Sequence, residues 1–286
     1  MHRRWVRNTW CLVVMAWAGC GSREIPVPNT APPANAAHAP GLLDLFAAAR
    51  LVDLSHTFDK QTVYWPTGEG FQLRVDAAGV TARGYYYASN TFTAAEHGGT
   101  HLDAPIHFFA EQRTADQIPL EQLVAAAVVV DVRKPCAANR DYEITVGDLR
   151  AWEEQHGRTL AETIVLLRTG FAAHWPDPAA YLGTAEKGPE AVAQLHFPGL
   201  APQAAAWLAE HRAIKAVGID TASIDHGQSQ DFGSHVKLCQ HNVPILENVK
   251  LSDDLPAEGF LILALPMKIG GGSGGPARIV AVLPAE

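Results

Sequence analysis

Basic residues are scarce in this chain, and so are cysteines and long apolar runs. Lysine and arginine number 22 against 30 aspartate and glutamate, for a net charge of −8. A surface of that sign does not neutralise a phosphate backbone, which excludes nucleic acid as the natural partner. The four cysteines form no CxxC and no zinc-finger spacing, so neither a dithiol redox centre nor a thiolate zinc site is expected. The apolar stretch from Thr9 to Ala18 falls short of the ~20 residues that a membrane-spanning helix needs. Between Leu42 and Leu283 there is no internal repeat and no second linker, so a single domain is expected there. Charged residues make up only 18% of the 286 positions and hydrophobic residues 48%. That balance excludes wholesale disorder and supplies a sizeable core. The surplus is histidine, thirteen in all, and it directs attention to metal sites.

The first forty-odd residues read as processing and tether rather than fold. Arg3, Arg4 and Arg7 form a positive leader, the short apolar stretch follows, and Trp17-Ala18-Gly19 places small residues before Cys20. This is the layout of a signal peptide. Its end is similar to a bacterial lipobox, with Trp17 standing where a leucine is usual. Residues 1–19 are thus expected to be a signal peptide and Cys20 the lipidated residue. Residues 20–41, rich in Pro, Ala and Asn, are expected to be a flexible tether. The chain would then be exported and held in the bacterial envelope by lipid alone, with several acyl chains making the anchor stable. An ordinary secretory signal cleaved nearby is the plainer alternative. Cys136 and Cys239 remain for the domain, and two separate buried thiols are expected there.

From residue 42 to 286, short β-branched runs alternate with helical patterns. Ala126 to Val132, Thr163 to Thr169, Ala216 to Asp220 and Phe260 to Leu265 read as buried strands. Phe71 to Val75 and Tyr85 to Thr91 read as earlier strands with no helix between them. Thr145 to His156 reads as a helix with a threonine cap, Pro202 to His211 as a helix opening on proline, and His235 to Gln240 as a helix start. The pattern implies an α/β fold with a mixed sheet rather than a clean βαβ repeat.

The densest chemistry lies in His97-Gly-Gly-Thr-His-Leu-Asp-Ala-Pro-Ile-His107. Gly98, Gly99 and Pro105 argue against a regular helix through this run, so an irregular loop or turn is expected to gather its side chains. Imidazole and carboxylate suit Zn²⁺, Mn²⁺ or Fe²⁺, and two His with one Asp supply the three protein ligands common in catalytic zinc sites. His97, His101 and Asp103 fill those places and leave His107 spare. A metal lowers the pKa of a bound water towards ~7 and polarises a carbonyl. An imidazole of ordinary pKa near ~6.5 can take a proton and return it to a leaving nitrogen. Glu96 and Thr100 either orient ligands or support the loop.

A second segment, Gly218-Ile-Asp-Thr-Ala-Ser-Ile-Asp225, begins as a buried strand and turns polar. His235 and Glu247 follow; spacing alone leaves them open between ligand and capping or solvent-facing roles. Lys268 to Pro276 is glycine-rich but lacks the GK[ST] ending of a phosphate loop, so a permissive turn near the site is expected. Asp220-Thr-Ala-Ser223 is not a nucleophile elbow. Trp65, Phe71 and Phe92 are candidates for an aromatic pocket wall, with core packing as the competing role.

The run HGGTHLDAPIH resembles the HxGTHxDxPxH signature of the cyclase-like metal-dependent hydrolases, a family that includes bacterial kynurenine formamidases and isatin hydrolases. The resemblance extends through Asp53-Leu-Ser-His56, Tyr64-Trp-Pro66, Gly218 to Ser223 and Glu247-Asn248. It implies a single α/β domain with a mixed, barrel-like sheet flanked by helices. His97, His101 and Asp103 would bind a first metal, and Asp103 would bridge to a second held by His235 and Glu247. One or two ions of Zn or Mn per subunit, His107 as general acid/base and a homodimer or homotetramer are implied as well. The implied reaction is hydrolysis of an amide C–N bond, arylformamidase-like. A cyclic imide or lactone is the alternative substrate. A lipid-tethered protein that binds a metal or ligand without turnover is the non-enzyme alternative.

Overall fold

The computed structural model describes residues 41–285. The leader, Cys20 and all of the tether but Gly41 lie outside them. Among the described residues no helix is long and apolar enough to cross a membrane.

Strands with continuous apolar runs build the parallel half of the sheet. These are β5 (Val124–Asp131), β7 (Ile164–Arg168), β9 (Ala216–Ile219) and β10 (Ile245–Glu247). They pair in parallel in that order, buried on both faces, which is why their sequences do not alternate. The antiparallel half comprises β4 (His101–Asp103), β11 (Phe260–Pro266) and β12 (Gly274–Leu283). Because β12 also pairs with β4, the sheet closes into a ring in the order β12, β11, β5, β7, β9, β10, β4. The far half of β12 carries β1 (Arg50–Asp53) as an added strand.

Alternate residues of the ring serve two cores. Val129, Leu166, Leu102, Ile262 and Ile279 belong to one buried cluster. Val128, Val130, Val165, Leu167 and Val217 belong to the other, packed with Leu149 and Trp152 of the 146–156 helix and Ala204 and Leu208 of the 202–212 helix. Burying each such Leu or Val contributes ~1.5–3 kcal/mol. The 146–156 helix starts where expected. Thr145 Oγ1 accepts from the Asp148 N–H at 3.3 Å, Asp148 accepts from the Thr145 N–H at 2.7 Å, and Gly157 ends the helix in a left-handed conformation.

The two early strands are β2 (Gln72–Val80) and β3 (Tyr86–Thr93), an antiparallel hairpin that forms a sheet of its own. Its register puts Leu73 opposite Phe92 and Val80 opposite Tyr86, on the face that also carries Val75. The other face carries Gln72, Arg74, Thr91 and Thr93, with Arg74 and Thr91 both bonded to Asp76. The apolar face is exposed throughout. A third small sheet joins β6 (Glu143–Ile144) to β8 (Gly199–Leu200). Cys136 and Cys239 are buried, separate thiols, and burial pushes both up to about 12.

Candidate metal centre

The histidine-rich run is where the barrel closes. It is more regular than its Gly and Pro content suggested, because His101–Asp103 is strand β4, hydrogen-bonded between β10 and β12. Only its flanks are irregular. Gly98 bridges to Tyr64, and a Cβ there would stand 2.1 Å from the Tyr64 ring. Gly99 follows with φ +57°, in left-handed space that favours glycine. Strand alternation then sends His101 and Asp103 to one side and Leu102, fully buried, into the core. Pro105–His107 is a 3₁₀ turn that folds back and stacks His107 on His97, with ring centroids 3.7 Å apart.

Other elements bring the rest. Glu247 on β10 lies directly opposite His101 in the register. His235 sits in the first turn of the 233–240 helix, whose Ser234 and His235 N–H groups donate to Asp225 at 2.8 and 3.1 Å. Asp103 Oδ1 is 2.6 Å from His97 Nδ1 and 3.1 Å from His101 Nε2. Asp103 Oδ2 is 3.2 Å from His235 Nε2, which is itself 3.2 Å from Glu247 Oε1.

Each imidazole is held from behind. His101 Nδ1 donates to the Gly99 carbonyl at 2.9 Å, His235 Nδ1 faces Asp225 at 2.6 Å, and His97 Nε2 lies 2.9 Å from Ser273 Oγ. The nitrogens left over point inward. His101 Nε2 is buried between Asp103 Oδ1 at 3.1 Å and Glu247 Oε2 at 3.5 Å yet forms an aligned hydrogen bond with neither, which is the mark of a ligand position. Ligand atoms cluster as His97, Asp103 and His107 on one side and His101, Asp103 and Glu247 on the other, so Asp103 belongs to both groups. The N/O donor set fits Zn²⁺ or Mn²⁺.

The electrostatics agree with that fit. Burial opposes charge on His101, but Asp103 and Glu247 outweigh it and raise the ring to about 9. His235 is likewise raised well above its usual range by Asp103, Asp225 and Glu247 against burial. Burial and the neighbouring Asp103 raise Glu247. Against burial, His101 and His97 hold Asp103 well below the carboxylate range. The centre therefore attracts positive charge, and protons compete with a cation for it. His107 differs: burial lowers it to about 4, against the pull of Asp103, so it is a neutral imidazole at pH 7.

All six expected residues, His97, His101, Asp103, His107, His235 and Glu247, line one cavity of about 290 Å³. Trp65 is in its wall. Phe71 and Phe92 are not, which corrects the expectation of a pocket role. They stack on each other at 5.9 Å, with Phe58 against Phe71 at 6.0 Å, and Phe92 stays half exposed on the hairpin. Thr100 supports the loop. Its hydroxyl accepts from the His56 N–H and donates to the Asn248 carbonyl, both at 2.8 Å. The sequence reasoning missed Phe108 and Phe232, which face the cavity beside Trp65. It also gave no role to Asp225 and Ser273. Phe108 follows His107 directly and Phe232 stands three before His235, so adjacency to suspected site residues was the available signal.

A closed mixed barrel with paired His/carboxylate groups at its seam defines a metal-centre α/β protein. Residues 52–226 match the family described as "Putative cyclase", and the chain belongs to that family. It is 32% identical over 209 residues to the isatin hydrolase of Roseibium aggregatum, covering 70% of this chain and 77% of the relative. It is 26% identical over 233 residues to the kynurenine formamidase of Bacillus cytotoxicus, covering 82% and 97%. Among solved structures, isatin hydrolase A from Ralstonia solanacearum superposes with a TM-score of 0.75 at 33% identity, covering 87% of this chain and all of that one.

Proposed function

We propose that the protein is a metal-dependent hydrolase of an aryl amide C–N bond, arylformamidase-like, with His107 as general acid/base. One observation carries this reading: three imidazoles, each fixed from behind, converge on Asp103 and Glu247 in the cavity that His107 shares. A divalent ion held there would supply Lewis acidity and lower the pKa of water towards ~7. His107, neutral and stacked beside His97, takes the proton from water and hands it to the departing nitrogen. Trp65, Phe108 and Phe232 give the cavity flat apolar walls, which suit an aromatic amide.

A cyclic amide of the isatin type, or a lactone, is the second reading. It is favoured by the higher identity to an isatin hydrolase than to a kynurenine formamidase, 32% against 26%. The sharing of Asp103 between two ligand groups supports two ions per subunit, Zn²⁺ or Mn²⁺. The exposed apolar face of the β2–β3 hairpin supports a homo-oligomer, since an isolated two-stranded hairpin is marginal by itself. Export and anchoring through a lipidated Cys20 rest on the leader sequence.

The test is chelation followed by a substrate panel. Activity on an N-formyl arylamine, a cyclic amide or an aryl lactone should vanish with chelator and return with Zn²⁺ or Mn²⁺. Full activity after complete metal removal would sink the mechanism. Preference within the panel decides between the two readings.

A further inference from the structure

A histidine binds metal through the ring nitrogen that lacks a proton, and the partner of the other nitrogen decides which one that is. For His101 and His235 those partners are a carbonyl and a carboxylate, both acceptors. For His97 the partner is a hydroxyl, which can donate or accept. What fixes the direction is Glu96. Its Oε2 lies 2.6 Å from Ser273 Oγ and 3.0 Å from the Ser273 N–H. A carboxylate has no proton to give, so the serine hydroxyl donates to it. The oxygen's remaining lone pairs then face His97 Nε2 at 2.9 Å, and that nitrogen must carry the proton.

We propose that Glu96 and Ser273 act as a positioning pair that keeps a proton on His97 Nε2, so that the proton which Nδ1 donates to Asp103 Oδ1 at 2.6 Å is the one a metal would displace, leaving Nδ1 as the ligand atom. This rests on the metal-dependent reading above. The glycine-rich segment gains its purpose here. Cβ atoms at Gly272 and Gly274 would stand 2.9 Å from Glu96 Oε1 and 2.6 Å from His97 Cε1, so only glycine lets this backbone lie against both. The segment is pinned by the Ala104 N–H on the Ser273 carbonyl at 2.8 Å and the Ala115 N–H on the Gly272 carbonyl at 2.9 Å. Ser273, His97 and Asp103 also have the order of a serine-hydrolase triad. The serine, however, immediately precedes strand β12 rather than a helix, is absent from the cavity wall and gives its proton to Glu96.

The experiment uses the full chain with ¹⁵N-labelled histidine. Long-range ¹⁵N–¹H correlation reads the tautomer of His97, and competition with a chromophoric chelator reads Zn²⁺ affinity. The Zn²⁺-loaded wild type should carry its single His97 proton on Nε2, and the metal-free wild type should keep Nε2 protonated while Nδ1 donates to Asp103. Ser273→Ala and Glu96→Ala should each weaken Zn²⁺ binding ~10–100-fold, and the double variant no further, because both act through one hydrogen-bond chain. In Glu96→Ala the freed hydroxyl donates to His97, and the proton population moves to Nδ1. Unchanged affinity in both single variants, additive losses, or an unprotonated Nε2 in the wild type overturns the proposal. So does labelling of Ser273 by a fluorophosphonate. A wild type that binds no Zn²⁺ defeats the metal reading instead, while the tautomer measurement still judges the pair.

Discussion

At the scale of single residues, the distinction that matters is between His107 and its neighbours. His101 and His235 are raised by the carboxylates they touch, whereas burial holds His107 neutral. A group kept neutral among anions and cations is a proton carrier rather than a charge partner. Yet its ligand nitrogen also falls within reach of His97 and Asp103. Replacing His107 with alanine separates the roles. Turnover should drop ~10²–10⁴-fold while the metal content of the purified protein stays at the wild-type value. Loss of metal would make His107 a ligand, and unaltered turnover would favour a binding protein without catalysis. His97, His101, Asp103 and His107 stood out in the sequence, because imidazole and carboxylate have few other reasons to crowd into eleven positions, whereas His235 and Glu247 were named only through the family resemblance. Ser273 was not legible. A serine among glycines carries no signal until folding sets it between Glu96 and His97.

At the scale of elements, β5, β7 and β9 and the helices beside them were legible from apolar runs, a threonine cap and a leading proline, whereas the three-residue β10 was not read as a strand. Strand β4 was not. Three residues flanked by two glycines and a proline read as a loop, and their strand character comes from β10 and β12 on either side. The tertiary partners override local propensity. Gly98 is the point at which this closure is most exposed to change. Gly98→Ala drives a methyl into the Tyr64 ring, and the run must shift to relieve it. The variant should melt at lower temperature, by ~1–3 kcal/mol of stability, and bind metal more weakly. A variant with wild-type melting and metal affinity would show that the close approach is not required. The 233–240 helix gives a second case. Its start was legible, but the use of its first N–H groups to hold Asp225, and through it His235, depended on the preceding loop folding back onto the helix.

At the scale of the whole molecule, the hairpin is the feature that the barrel does not explain, and the proposed export stands apart from the barrel altogether. Leu73, Val75, Val80, Tyr86 and Phe92 share one exposed face, an arrangement that solitary soluble proteins rarely leave open. With a homo-oligomer as proposed, Val75→Lys together with Phe92→Lys should lower the mass seen by light scattering to that of one subunit. A wild type that is already monomeric would remove the oligomer from the proposal. Export is checked separately. With lipidation as proposed, Cys20→Ala should move the protein from the membrane fraction of the producing bacterium to the soluble one and leave activity per molecule unchanged. Recovery of the wild type in the soluble fraction would refute the anchor.

Composition and motif by themselves determined what kind of chemistry this protein holds. They indicated a single α/β domain and a His/Asp cluster with one histidine to spare, since both depend on side-chain chemistry and local periodicity. Only the tertiary structure decided how that chemistry is arranged. Closure of β12 onto β4 brings residues 96–107, 235, 247 and 273 to one point. Phe71 and Phe92 turn to each other and leave the cavity wall to Phe108 and Phe232. Hydrogen bonds across 176 residues of chain are set by strand register and packing, and nothing in the local sequence encodes them.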